Sequence, residues 1–326
     1  MSKRKKYIKN CEVSEVIAVK LLGYEQKISI EGKSNGLPVV LMLHGGPGSP
    51  VPFSVGGRGL YPEWTDKAIV VCWDQLGCGI NNYEIDDGFH IIDFVNMTCE
   101  LIDYIKQRFP ANKLYLFGFS WGSVLALSAA VRMPEKLDGA FVFGQVLKNL
   151  FFNEEVGRAF DNAPQKARQT VKAILETGAD CEYKVVDKNL KNLYRLLMKH
   201  TNAYSNKNSQ RAPMGKIVFG LLTSPDYSFK DFQAVMKNGY INNTTLWQEL
   251  LKINLTPLLA EVKIKYCLLQ GETDIVTSTA NALNAVENCK NSNVSIKVVK
   301  DSGHMPSLQG MDECYNTLLR FIECEI

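Results

Sequence analysis

Hydrophobic residues in this chain fall into two kinds of pattern. Unbroken apolar runs occur at Pro38–His44 (PVVLMLH), Ala68–Trp73 (AIVVCW), Leu114–Phe119 (LYLFGF) and Leu137–Gln145 (LDGAFVFGQ). Their length and their Val, Leu and Phe content predict strands buried on both faces. Between them the spacing changes. Ile92, Val95, Cys99, Ile102, Ile105 and Phe109 recur at steps of three and four, which predicts one face of a helix that Pro110 stops. Trp121–Met133, rich in Ala and Leu, predicts a second helix, ended by Pro134. Near the N-terminus, Val16–Leu22 and Glu25–Ile30 read as strands, with Gly23-Tyr24 as the hairpin signal between them.

From about Val146 to Leu258 the pattern is mostly helical and polar, without a buried-strand signature. Strand signals return at Ile264–Gln270 and Val294–Val299, separated by a helical stretch around Asn281–Cys289. A last helix is expected near Leu308–Cys324. Strands alternating with helices imply an α/β fold, with a mostly parallel central sheet flanked by helices. The polar stretch is too long for a loop, because unstructured connections beyond roughly 12–15 residues are uncommon. It reads as an inserted helical lid. The expected organisation is a core in two parts, residues 1–146 and 258–326, with a lid over 147–257.

Composition narrows the function. The 326 residues are 46% hydrophobic and 22% charged, enough apolar material for a large core. With 37 basic and 34 acidic residues the net charge is +3, which argues against a nucleic-acid partner. Nine cysteines, odd in number and irregularly spaced without a Cys-x-x-Cys, predict neither a disulfide framework nor a bound metal. Reduced thiols in the cytoplasm are the simple reading. Lys3-Arg4-Lys5-Lys6 could open a signal peptide. However, Lys9, Glu12, Glu15 and Lys20 put charges where its apolar stretch would have to lie, so a solvated basic arm is expected instead. No run approaches a transmembrane span, and no membrane partner is expected.

The chemistry is carried by Gly118-Phe119-Ser120-Trp121-Gly122, a Gly-x-Ser-x-Gly set between a predicted strand and a predicted helix. Flanking glycines keep Cβ atoms out of a tight strand-to-helix crossing, and the serine oxygen is raised at the helix N-terminus. A serine needs a base, and on this architecture the chain order is Ser, acid, His. There are four histidines, at 44, 90, 200 and 304, and only His304 follows a suitable acid. Asp274 and His304 each come directly after a predicted strand, where catalytic groups of parallel sheets collect. Glu272 is the rival acid. The expected nucleophile, acid and base are therefore Ser120, Asp274 and His304. The oxyanion donors would be the backbone N–H groups of Trp121 and of Gly46, in the glycine-rich loop after the first buried strand. His44 is expected to fix that loop.

These residues resemble the α/β-hydrolase fold and, within it, the prolyl aminopeptidase (proline iminopeptidase) family. His44-Gly45-Gly46-Pro47-Gly48 matches that family's HGGPG loop. Gly118–Ser123 matches its Trp-bearing elbow. Asp74-Gln75-Leu76-Gly77-Cys78-Gly79 matches its Asp-Gln-Arg-Gly-x-Gly turn except at Leu76. The likeness covers roughly residues 25–146 and 258–326. It implies cofactor-free removal of an N-terminal residue, typically proline, from a short peptide or small amide. Leu76 in place of the family Arg would remove a charge from the rim of the site. The family uses lid acids to hold the substrate amine, and Glu154 and Glu155 are the candidates here. The segment Leu221–Lys237 looks like that of less well-defined hydrolases sharing this core. An esterase, lactonase or amidase with the same three residues therefore stays open, as does a binding protein on the same scaffold.

Overall fold

Strands with both faces covered need no polar alternation, and the continuous apolar runs of this chain become the middle of its sheet. The structure, a computed structural model, describes residues 2–178, 183–210, 213–236 and 243–324. β1 (Val13–Leu21) and β2 (Tyr24–Gly32) form an antiparallel hairpin whose turn is Leu22-Gly23, both at positive φ. The turn falls one residue before the expected one because Tyr24 is already paired with Leu21. β3 (Val39–Leu43), β4 (Ile69–Trp73), β5 (Leu114–Phe119), β6 (Gly139–Phe143), β7 (Tyr266–Gly271) and β8 (Val294–Val299) complete an eight-stranded sheet. Its order is β1-β2-β4-β3-β5-β6-β7-β8, antiparallel as far as β4 and parallel from β4 to β8.

Period-two alternation divides the core between the two faces of the sheet. Val39, Leu41 and Leu43 of β3 join the larger cluster, and Val40 and Met42 the smaller one. On the larger side lie α3 (Ile91–Arg108), α4 (Trp121–Arg132) and α11 (Thr279–Cys289). On the other side Trp64 of α2 (Pro62–Thr65) and Cys314, Leu318 and Phe321 of α12 (Leu308–Ile322) fill the space.

Among the described residues, six helices lie between β6 and β7: α5 (Glu154–Arg158), α6 (Gln165–Thr177), α7 (Tyr183–His200), α8 (Met214–Leu222), α9 (Phe229–Met236) and α10 (Thr244–Lys252). Buried residues of α6, α7 and α10 join the larger cluster, among them Val171, Leu193 and Leu250. Ile217, Leu221 and Val235 of α8 and α9 form a small cluster of their own against Val51 and Leu60.

The N-terminal basic run is not a free arm. It forms α1 (Lys3–Lys9), capped by the Ser2 side chain. The Arg4 guanidinium donates to three carbonyls, those of Arg58 (2.7 Å), Gly56 (2.7 Å) and Gly220 (2.6 Å). One planar fork thus fastens α1 to the core and to α8. Among the described residues no helix is long and apolar enough to cross a membrane.

Candidate active site

β5 ends and α4 begins at Ser120, whose backbone takes φ 49° and ψ −116°, a strained conformation for a residue with a side chain. The turn exists because α4 runs hard against the end of β3. A Cβ on Gly122 would lie 1.9 Å from the Leu43 carbonyl oxygen, so only glycine fits there. The Ser120 N–H donates to the Phe143 carbonyl at 2.9 Å, which fixes the turn to β6.

Three loops at the carboxyl ends of β5, β7 and β8 converge. Ser120 Oγ is 2.9 Å from His304 Nε2, and His304 Nδ1 is 2.9 Å from Asp274 Oδ2. All three side chains are buried. A carboxylate only accepts, so Nδ1 carries the ring proton and Nε2 is left to accept from the serine hydroxyl. Asp274 Oδ1 takes the N–H groups of Val276 (2.8 Å) and Thr277 (3.1 Å), and Oδ2 also takes the Thr277 hydroxyl (2.6 Å). These donors hold the carboxylate in one orientation. Glu272 points elsewhere and accepts the Asp301 N–H. The segment after α7 clamps the His304 loop, because His304 N–H donates to the Ala203 carbonyl (2.8 Å) and Met305 N–H to that of Tyr204 (2.7 Å).

The glycine-rich loop faces this group from the end of β3. Gly46 has φ 117°, and a Cβ there would stand 2.6 Å from the Gly48 nitrogen. His44 braces the loop: Nδ1 donates to the Gly45 carbonyl (2.9 Å), and Nε2 accepts the Gln75 N–H (3.0 Å). Complete burial pushes its pKa down to about 4, so it is neutral and its Nε2 is free to accept. Gln75, which no strand or helix signal marks in the sequence, joins the two halves of the site. Its Nε2 donates to the His44 carbonyl (3.3 Å), and its Oε1 accepts from Trp121 Nε1 (2.7 Å). The paired presence of Gln75 in the turn motif and Trp121 in the elbow was the available signal.

Position 76 does not lie where the family resemblance places it. Leu76 is fully buried in the larger core cluster, so it is not on the rim of the site. The turn acts through Asp74 instead. This buried carboxylate accepts the N–H groups of Val55 (2.9 Å) and Ile80 (3.0 Å) and the hydroxyl of Tyr227, which lies between α8 and α9. Burial raises its pKa to about 6.

A pocket at the ends of β3, β5 and β6 is lined by Met42, Phe53, Phe119, Phe143, Met214 and Met305 among others, with no carboxylate among the described residues of its wall. Phe119 and Met305 are next in sequence to Ser120 and His304. Glu154 and Glu155 are not in it. They line a separate pocket at the start of α11, where Glu155 hydrogen-bonds the Ser278 hydroxyl and the Glu154 side chain is almost fully exposed. His90 caps α3 and meets Glu249, and His200 stands against Phe160. Among the described residues no group of three or more His, Cys, Asp and Glu side chains is placed to hold a metal ion.

Residues 38–310 match the family model described as the α/β hydrolase fold, and the chain belongs to that family. Among curated relatives, the probable aminopeptidase YbaC of Bacillus subtilis (strain 168) is 24% identical over 305 residues, covering 91% of this chain and 92% of that one. A proline iminopeptidase of Thermoplasma volcanium is 24% identical over 288 residues, 88% of this chain and 89% of its own. The crystal structure of a proline iminopeptidase from Mycobacterium smegmatis superposes with a TM-score of 0.64 at 16% identity, over 95% of this chain and 98% of that one. The carboxylesterase CesB (YbfK) of Bacillus subtilis does so with a TM-score of 0.59 at 16% identity, over 98% and 95%. At such identities the structural likenesses speak for the fold alone.

Proposed function

We propose that this hydrolase is a serine hydrolase working by acyl transfer, a reading carried by the Ser120–His304–Asp274 relay with its two 2.9 Å links. His304 takes the Ser120 proton as the hydroxyl attacks a carbonyl carbon. The tetrahedral oxyanion is held by the N–H groups of Gly46 and Trp121. His304 then protonates the leaving group, and water releases the acyl group from Ser120 by the reverse route. Asp274 holds the ring through Nδ1 and balances the imidazolium that forms. No cofactor enters these steps. Residues 147–257 act as a lid over the core, a role supported by the backbone bonds from Ala203 and Tyr204 to the His304 loop.

For the substrate, removal of an N-terminal proline or another small residue is the first reading, supported by the names of the relatives and by the HGGPG loop. It requires a carboxylate for the substrate amine, and Glu155, tied through Ser278 to the turn after Asp274, is the residue to test. A second reading, hydrolysis of a small uncharged ester or amide, is favoured by the apolar pocket, whose described residues include no acid. A panel of prolyl-naphthylamide and short p-nitrophenyl esters separates them. Under the first reading prolyl-naphthylamide is cleaved, and Glu155→Gln raises its KM while leaving ester KM unchanged. Ester turnover with no aminoacyl amide cleavage would establish the second. A reducing, cytoplasmic setting is in keeping with the eight described cysteines, all of them free thiols.

A further inference from the structure

Away from the site, three large apolar side chains stand in solvent on neighbouring helices. Phe219 and Leu222 of α8 are 64% and 50% exposed, and Phe229 of α9 is 66% exposed. Helix α1 lies beside them, since Arg4 donates to the Gly220 carbonyl between Phe219 and Leu222. Lys3, Lys5, Lys6 and Lys9 of α1 are exposed, as are Lys216 and Lys230 on the two apolar helices. The nearby acids offset only part of this charge: one is paired with a cation, and three others stand against the six lysines. Asp226 is engaged by Arg58, Asp231 by Ser228 and Asn82, and Asp66 by Tyr7, while Glu63 of α2 is exposed. The asymmetry is also visible in the whole chain. Five of its 37 basic residues fall in the first nine positions, leaving 32 against 34 acidic ones.

We propose that this face, built from α1, α8 and α9, docks on an anionic bilayer surface. Protruding Phe and Leu side chains enter the headgroup boundary while the lysines meet the lipid charge. A helix lying in the interface needs no spanning segment, so the lack of one among the described residues bears only on crossing. A second copy of the chain is a poorer occupant, because a two-fold contact through this face would press the same lysines together.

The test is cosedimentation of the full chain with phosphatidylcholine vesicles and with vesicles of equal parts phosphatidylcholine and phosphatidylglycerol. The protein is expected on the anionic vesicles only, and less of it at high salt. The pair Lys5→Gln and Lys6→Gln should lower partitioning about thirtyfold. The pair Phe219→Ser and Phe229→Ser should lower it about tenfold or more. Both pairs change exposed side chains, so thermal midpoints should stay at the parent value and separate lost docking from lost folding. No binding to anionic vesicles would overturn the proposal, as would equal binding to neutral ones. A concentration-dependent dimer abolished by Phe219→Ser would assign the face to a second copy instead.

Discussion

Single atoms decide what Ser120 can do. Its hydroxyl has an imidazole nitrogen at 2.9 Å, and that imidazole is held from behind by a carboxylate with three further donors. Ser120→Ala should therefore lower kcat by on the order of 10⁶ and abolish labelling by a fluorophosphonate, with the circular dichroism spectrum unchanged. Gln75 tests a different link. Gln75→Leu leaves Trp121 Nε1 and the His44 carbonyl without their partner. A buried donor left unpaired costs about 1–3 kcal/mol, so the thermal midpoint should fall. If Gln75 also positions the Gly46 loop, kcat should drop about tenfold or more while KM holds, since an oxyanion donor acts on the transition state. A lower midpoint with unchanged kcat would mark the residue as structural only. The convergence of Ser120, Asp274 and His304 is legible in the sequence because each comes after a strand signal. Gln75 is legible only through the pairing of its turn motif with the Trp121 elbow, because its importance comes from bridging two loops that are distant in the chain.

At the scale of elements, legibility tracks burial. β3 to β6 are readable to within a few residues, because a strand covered on both faces leaves an unbroken apolar run. Helix α1 reads as a solvated arm for the opposite reason. Its sequence is nearly all cationic, and what orders it is Arg4 meeting carbonyls 52, 54 and 216 positions away. Arg4→Ala removes three donors from carbonyls at part-buried positions. It should cost about 1–3 kcal/mol, read as a lower midpoint in urea, and it should expose α1 to limited proteolysis. Arg4→Lys should recover little of this, since an ammonium cannot span three acceptors in one plane. The helical stretch between β6 and β7 is readable as a stretch, from its polarity and length. Its anchoring through Tyr227 to Asp74 is not, because a single tyrosine carries no periodic signal.

For the whole molecule, two buried groups set opposite responses to pH. Asp74 has a folded pKa of about 6, above its unfolded value, so its contribution to stability is complete in acid and is lost as pH rises through 6. His44 has a folded pKa of about 4, below its unfolded value, so its contribution is present at neutral pH and is lost as pH falls from about 6.5 toward 4. Each is worth on the order of 3 kcal/mol across its window, so they largely cancel. Asp74→Asn should uncover the histidine alone. Stability measured in urea should then rise more steeply between pH 4 and 6 than in the parent, and an unchanged slope would refute the assignment.

The order of the sheet also bears on how the chain is made. β6 and β7 are neighbours, yet the helices from α5 to α10 are all synthesised between them. Ser120 is 184 positions ahead of His304, so at about 5–20 residues per second a ribosome emits the serine tens of seconds before the histidine. For most of that interval β6, with its Ala-Phe-Val-Phe run, has an unpaired edge waiting for β7. Chains released early would be inert and adhesive at once. Translation pauses within the insert should thus show up as aggregated protein rather than as a pool of weakly active enzyme.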